Sequence, residues 1–127
     1  MADVNRGNRP LSPHLQVYRM PLPAITSILI RITGIACYGL AVLVVAWLLA
    51  AASSERAFDI VDGILTSFLG DLVMFGAAWA LWYHMLGRLR HVIWDLGYAV
   101  EIPIAEKMSI AMLAGATVLA LFTAIVV

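Results

Sequence analysis

Residues 24–52 read AITSILIRITGIACYGLAVLVVAWLLAAA, and only Thr26, Ser27, Arg31 and Thr33 break the apolar run. At about 1.5 Å of rise per residue, roughly 20 apolar residues in a helix cross the hydrocarbon core of a bilayer. Lipid offers no partner to an unpaired backbone amide, so a stretch of this kind has to be helical. Two further runs have the same character. One covers 64–86, with Asp71 near its start and His84 near its end, and its helix is expected to carry on through an arginine-bearing turn to about residue 94. The other covers 104–127, with Glu106 and Lys107 in its first turn. Pro23 and Pro103 stand where a first-turn proline is tolerated, and Ser53-Ser54-Glu55-Arg56 stops the first run. The expected architecture is an all-α integral membrane protein with three transmembrane helices at about 24–52, 64–94 and 104–127. They follow a polar, proline-broken segment, 1–23, which is expected on the cytoplasmic or interfacial side.

Composition leads to the same class. Of 127 residues, 63% are hydrophobic and 13% are charged, against roughly 45–50% and about 25% in an ordinary soluble domain. Mean hydropathy is +0.94. A chain this short cannot bury so much apolar surface within itself, which rules out a soluble monomer. Cys37 is the single cysteine, which rules out a disulfide scaffold, and apolar surroundings make it an inert thiol. Eight basic and eight acidic residues cancel, leaving no electrostatic footprint for nucleic acid. No removable signal peptide is expected, because the chain opens with no basic-then-apolar stretch ending in small residues.

The loop charges set an orientation. Arg6, Arg9 and Arg19 precede the first run, and Arg88, Arg90 and Lys107 flank the second loop. The first loop sets Arg56 against Glu55, Asp59 and Asp62. The positive-inside rule places the N-terminus and the Arg88–Lys107 side in the cytoplasm, with the first loop and the C-terminus opposite. Asp71 then lies at the outer edge, and Asp95 and Glu101 lie in the inner loop.

A segment that only anchors needs no ionisable side chain, so each polar exception raises a functional question. Ser27, Arg31 and Gly34 fall on one helical face, making a polar notch with room beside it. Arg31 either snorkels to the headgroups or serves a group between helices. The Ser27 hydroxyl either bonds its own backbone or faces the same notch. His84 lies about one turn inside Arg88, at a depth like that of Arg31. A desolvated imidazole needs partners for both nitrogens. A metal on one and an acceptor on the other would meet that need, as would an interhelical hydrogen bond. His91 is about 10 Å further along the axis, too far for the two rings to clamp one iron from opposite sides. Beside Arg90 it reads as part of an interfacial polar pair, and His14 as a surface or interface residue. Trp94 suits the interfacial belt, Trp47, Trp79 and Trp82 suit packing or the belt, and Gly76 with Ala80 offers a small-xxx-small contact. No glycine-rich phosphate loop, cysteine metal motif or acidic midplane residue is present, which argues against a small cation transporter.

Taken in order, Arg9-Pro10-Leu11-Ser12-Pro13-His14-Leu15, then Ser27-Ile28-Leu29-Ile30-Arg31-Ile32-Thr33-Gly34, then His84 and Arg90-His91-Val92-Ile93-Trp94-Asp95-Leu96-Gly97, the chain resembles the cytochrome b membrane-anchor subunits of succinate dehydrogenase, respiratory complex II. The resemblance covers the whole chain. It implies one half of a heterodimeric helical bundle. A second membrane-anchor subunit would share a haem b and supply its other axial ligand. The iron–sulfur subunit and the flavoprotein subunit, with their clusters and FAD, would lie on the cytoplasmic side of a bacterial inner membrane, the C-terminus being periplasmic. It further implies His84 as the haem axial ligand and Ser27 and Arg31 as ubiquinone-binding residues. Arg31, His91, Arg90 and Asp95 become candidates for contact with haem propionates or the subunit interface. Ile30 stands where the family often has histidine, and Arg88 where it often has glycine. The alternatives are a cofactor-free anchor or assembly subunit, and a fumarate reductase anchor working in reverse.

Overall fold

A computed structural model describes residues 18–127. His14, Arg6, Arg9 and the rest of the first motif lie outside the described residues. The chain forms α1 (Leu22–Ser53), α2 (Glu55–Leu65), α3 (Phe68–Asp95) and α4 (Ile102–Val126). α1 and α4 are each long and apolar enough to cross a membrane, and α2 and α3 meet at 74° across a short break. At 28 residues, α3 is about 42 Å long. It runs antiparallel between α1 and α4 and packs against both, giving an all-α bundle with two spanning helices, or three where the bent α2–α3 pair counts as one span.

The helix ends follow from local chemistry. Pro23 and Pro103 stand in the first turns of α1 and α4. The Ser54 hydroxyl caps α2 by accepting from the Ala57 amide at 3.2 Å, and Ser67 caps α3 by accepting from Gly70 at 3.1 Å. α3 closes in a Schellman turn. Tyr98 N–H donates to Ile93 O at 3.1 Å and Gly97 N–H to Trp94 O at 2.9 Å, with Gly97 at φ 81°. The Trp94 indole then donates to Ala99 O at 3.0 Å, tying the loop to the helix.

The second span differs from the sequence expectation, which started it at residue 64 and read the residues before it as loop. Residues 55–65 instead form a separate amphipathic helix, ended where Thr66 and Ser67 turn their hydroxyls onto Asp62 O and Ile64 O. The charges Glu55, Arg56, Asp59 and Asp62 mimic a loop when counted. Their spacing leaves Phe58, Val61 and Leu65 on one face. That face lies on α1, where Phe58 meets Trp47 at 5.6 Å and the Trp47 indole donates to Asp62 at 3.2 Å.

Lipid tails are as apolar as leucine, so close approach and polar contacts have to hold such helices together. Small residues make that approach possible. Ala105, Ser109, Met112, Ala116 and Ala120 form the buried stripe of α4. On α3, Ala80 is buried as the small-xxx-small pattern suggested, whereas Gly76 is exposed and faces open space. The close contact falls one helical stretch later, at Gly87. A Cβ there would stand 2.6 Å from Ile30 Cγ1 and 3.2 Å from Met112 Cε. Ile30 is thus a knob from α1 set into a hole on α3, joined by Tyr83, Met112 and Ala116 in one core cluster.

A polar node sits beside this core. Arg90 is 1% exposed and donates from one Nη to Thr26 Oγ1 at 3.0 Å and to Ser109 Oγ at 2.9 Å. Its guanidinium also lies 4.5 Å from the centre of the Trp94 ring, a contact worth about 2 kcal/mol when desolvated. Tyr83, stacked on Trp79 at 5.2 Å, donates its hydroxyl to Thr26 O at 3.0 Å. One cation thereby joins α1, α3 and α4.

The packing makes a steric prediction. Gly87→Ala is expected to cost about 1–3 kcal/mol through overpacking, read as a lower unfolding midpoint of the detergent-purified protein. Ile30→Ala removes the two Ile30 atoms that a Cβ at Gly87 would meet, so the double variant should lose clearly less than the two single losses summed. Additive losses in the double variant would show that the two residues do not meet.

Candidate functional site

The register that seats Ile30 on Gly87 also brings His84 of α3 against Gly34 of α1. A Cβ at Gly34 would stand 3.0 Å from His84 Cε1, so glycine is what lets the ring lie on the helix. The Ile30 carbonyl takes a hydrogen bond from His84 Nδ1 at 3.0 Å. The proton is assigned to Nδ1 because a carbonyl can only accept. Nε2 then keeps its lone pair and accepts from Arg88 Nε at 3.2 Å. The ring is therefore fixed at one face and at both nitrogens.

Beside it is an open cleft of about 520 Å³ between α1 and α3. Ser27, Arg31, Gly34 and Tyr38 line it from α1, and His84, Arg88 and His91 from α3. Among the described residues, two guanidiniums, two imidazoles and a phenol line it, and no carboxylate does. Such a wall favours an electron-rich or anionic occupant. Thr26 and Thr33, one on either side of the notch, turn their hydroxyls back onto helix carbonyls. Among the described residues Ser27 makes no such bond, so its hydroxyl is available to the cleft.

The structure brings Ser27, Arg31, Gly34 and His84 to one place and adds His91, whose Nδ1 donates to Gly87 O at 2.8 Å. It does not bring Arg90 or Asp95 there. Arg90 turns about one helical step away from His91 and enters the α1–α3–α4 contact, and Asp95 is exposed at the end of α3. The supposed interfacial pair of Arg90 and His91 is therefore split between the bundle interior and the cleft. Sequence reasoning missed Tyr38 and Arg88 as lining residues. Tyr38 lies seven residues after Arg31 and so continues the same stripe. Arg88 lies one turn after His84.

Among the described residues no three His, Cys, Asp or Glu side chains gather to hold a bare metal ion. What His84 offers is a single, well-oriented nitrogen. Its second nitrogen is tied to a backbone carbonyl, the arrangement that fixes tautomer and raises basicity in metal-ligating histidines. A lone histidine nitrogen of this kind would suit a metal held mainly by other donors, such as a macrocycle.

Comparison with known proteins identifies the family. Residues 5–124 match the family model described as succinate dehydrogenase/fumarate reductase transmembrane subunit. A succinate dehydrogenase cytochrome b556 subunit from Paracoccus denitrificans is 57% identical over 126 residues, covering 99% of this chain and 97% of the relative. A mitochondrial succinate dehydrogenase cytochrome b560 subunit from Sus scrofa is 37% identical over 108 residues, covering 84% of this chain and 64% of the relative. A cytochrome b556 subunit from Rickettsia typhi is 33% identical over 94 residues, covering 74% and 73%. The chain belongs to the succinate dehydrogenase/fumarate reductase transmembrane subunit family and is a membrane-anchor subunit of that enzyme, not the chain that oxidises succinate.

Proposed function

We propose that this chain holds a haem b together with a second anchor subunit and forms part of the site where ubiquinone is reduced. The observation that carries the reading is the shared cleft: Ser27, Arg31 and His84, from two helices, line one opening with His84 Nδ1 anchored on Ile30 O. The relatives are named as cytochrome b subunits of succinate dehydrogenase, which favours succinate oxidation over the reverse reaction. Electrons would reach this site from the iron–sulfur subunit, which takes them from the flavoprotein subunit and its FAD. Both would dock on the side carrying the N-terminus and the α3–α4 loop, the cytoplasmic side of a bacterial inner membrane. The C-terminus would then be periplasmic.

A bound haem b supplies a one-electron store whose potential depends on its axial ligands, burial and hydrogen bonds. The chain's own residues do the remaining work. His84 would hold the haem iron through Nε2, with Ile30 O keeping the proton on Nδ1. Ser27 donates a hydrogen bond to a quinone carbonyl. Arg31 sets a fixed positive charge where negative charge builds on the quinone oxygen, an interaction that strengthens where water is scarce. Arginine keeps its proton throughout, so the protons that complete reduction come from water or a neighbouring subunit. Arg31 and His91 are also within the cleft that would receive the haem propionates.

One observation favours a second reading, a cofactor-free anchor: both His84 nitrogens already have partners within the chain. Spectroscopy separates the two. Replacing His84 by leucine in the assembled complex is expected to shift or abolish the reduced-minus-oxidised haem bands. Unchanged bands would remove His84 as a ligand, and absence of haem from the wild-type complex would establish the anchor reading.

Quinone chemistry has its own test. Arg31→Leu or Ser27→Ala should lower succinate:quinone reductase activity by about tenfold or more, on the scale of losing one charge-stabilising donor. Succinate oxidation by a soluble dye should stay within about twofold of wild type, a small effect by the same scale. Equal loss of both activities would point to failed assembly instead.

A further inference from the structure

We propose that Arg88 is a movable partner of His84: within this chain its Nε donates to the Nε2 lone pair, and where His84 serves as a haem ligand its guanidinium pairs with a carboxylate of that group. The proposal rests on the haem reading given above. Three observations carry it. Arg88 Nε donates to His84 Nε2 at 3.2 Å, so the nitrogen that faces the cleft is already engaged. The other nitrogen is held by Ile30 O and the ring lies on Gly34, so Nε2 is the atom the imidazole presents to the cleft. Arg88 is exposed and lines the cleft, so the guanidinium has somewhere to go.

The exchange balances without any proton changing owner. Histidine stays in its neutral Nδ1–H form. The Nε2 lone pair passes from an N–H donor to the metal, and the freed Arg88 N–H groups donate to a carboxylate oxygen. Haem b has two propionates, and among the described residues nothing acidic lines the cleft to compete for Arg88. Arginine suits the task because its planar fork meets a carboxylate through two parallel hydrogen bonds. Arg88 is a positioning residue in this scheme, and it touches neither quinone nor succinate.

A positive charge paired with a propionate favours the reduced haem, which has one more electron. Removing the charge should therefore make reduction harder. The experiment is an optical redox titration of the purified complex carrying R88L, R88K or R88Q, beside the wild type and H84L. R88L is expected to keep its haem. At a fixed ambient potential its ratio of reduced to oxidised haem should fall about threefold, which for a one-electron couple is about 28 mV at about 59 mV per decade. R88K should retain most of the wild-type ratio. If leucine prevents assembly, R88Q, which is shorter but keeps a polar hydrogen-bonding side chain without the charge, should show the same fall. A wild-type ratio in R88L or R88Q, with H84L still altering the haem bands, would overturn the role of Arg88 and leave the haem reading standing. Bands unaffected by H84L would remove the haem reading and this proposal with it.

Discussion

Helices immersed in hydrocarbon gain little from burying apolar side chains against one another, so something other than greasiness has to set their register. In this bundle the setting is done by Arg90. Its guanidinium reaches Thr26 on α1 and Ser109 on α4 while lying over Trp94 on its own helix. An arginine so placed has lost its water, and sliding either neighbour by one turn would leave it with fewer partners. The cost is visible in the same residue, whose Nε and second Nη have no hydrogen-bond partner among the described residues. A buried cation only partly satisfied is a strong constraint on geometry and weak evidence for stability.

Everything at the cleft inherits that constraint. With Thr26 fixed opposite Arg90 and Tyr83, Ile30 comes level with Gly87, and Gly34 comes level with His84. Moving α1 by one residue would turn Ile30 out of its hole and bring a side chain with a Cβ against the imidazole. The two glycines act in complementary ways. Gly87 admits a side chain from the facing helix, while Gly34 admits a ring. The carbonyl of Ile30 then supplies the acceptor for His84, so one residue gives its side chain to packing and its backbone to the site.

Much of this was readable from residues alone, for physical reasons that can be named. Long apolar runs in a short chain leave few options, and the two prolines mark the first turns of α1 and α4. Ser27, Arg31 and Gly34 share a face because helical geometry requires it, and His84 stands out as a titratable group deep in an apolar run. What could not be read depended on a neighbour. Gly76 and Gly87 look alike in sequence, and only the facing helix decides which is the contact. Arg90 and His91 are adjacent, yet one step of about 100° sends them to different sides of α3. The helix α2 was hidden for another reason: counting its four charges suggests a loop, while their spacing makes an amphipathic face.

The bend between α2 and α3 also bears on how the bundle sits in its surroundings. α2 lies at 74° to α3, holds α1 through Trp47 and Asp62, and leaves Ile60 and Ile64 exposed. An amphipathic helix set crosswise to its neighbour, with isoleucines left uncovered, has the character of segments that lie in the interface plane. Tied to α1 in that way, it would resist the tilting by which a bundle otherwise adapts to a bilayer of another thickness, so the bend would couple the depth of the long helices to the polypeptide's own dimensions.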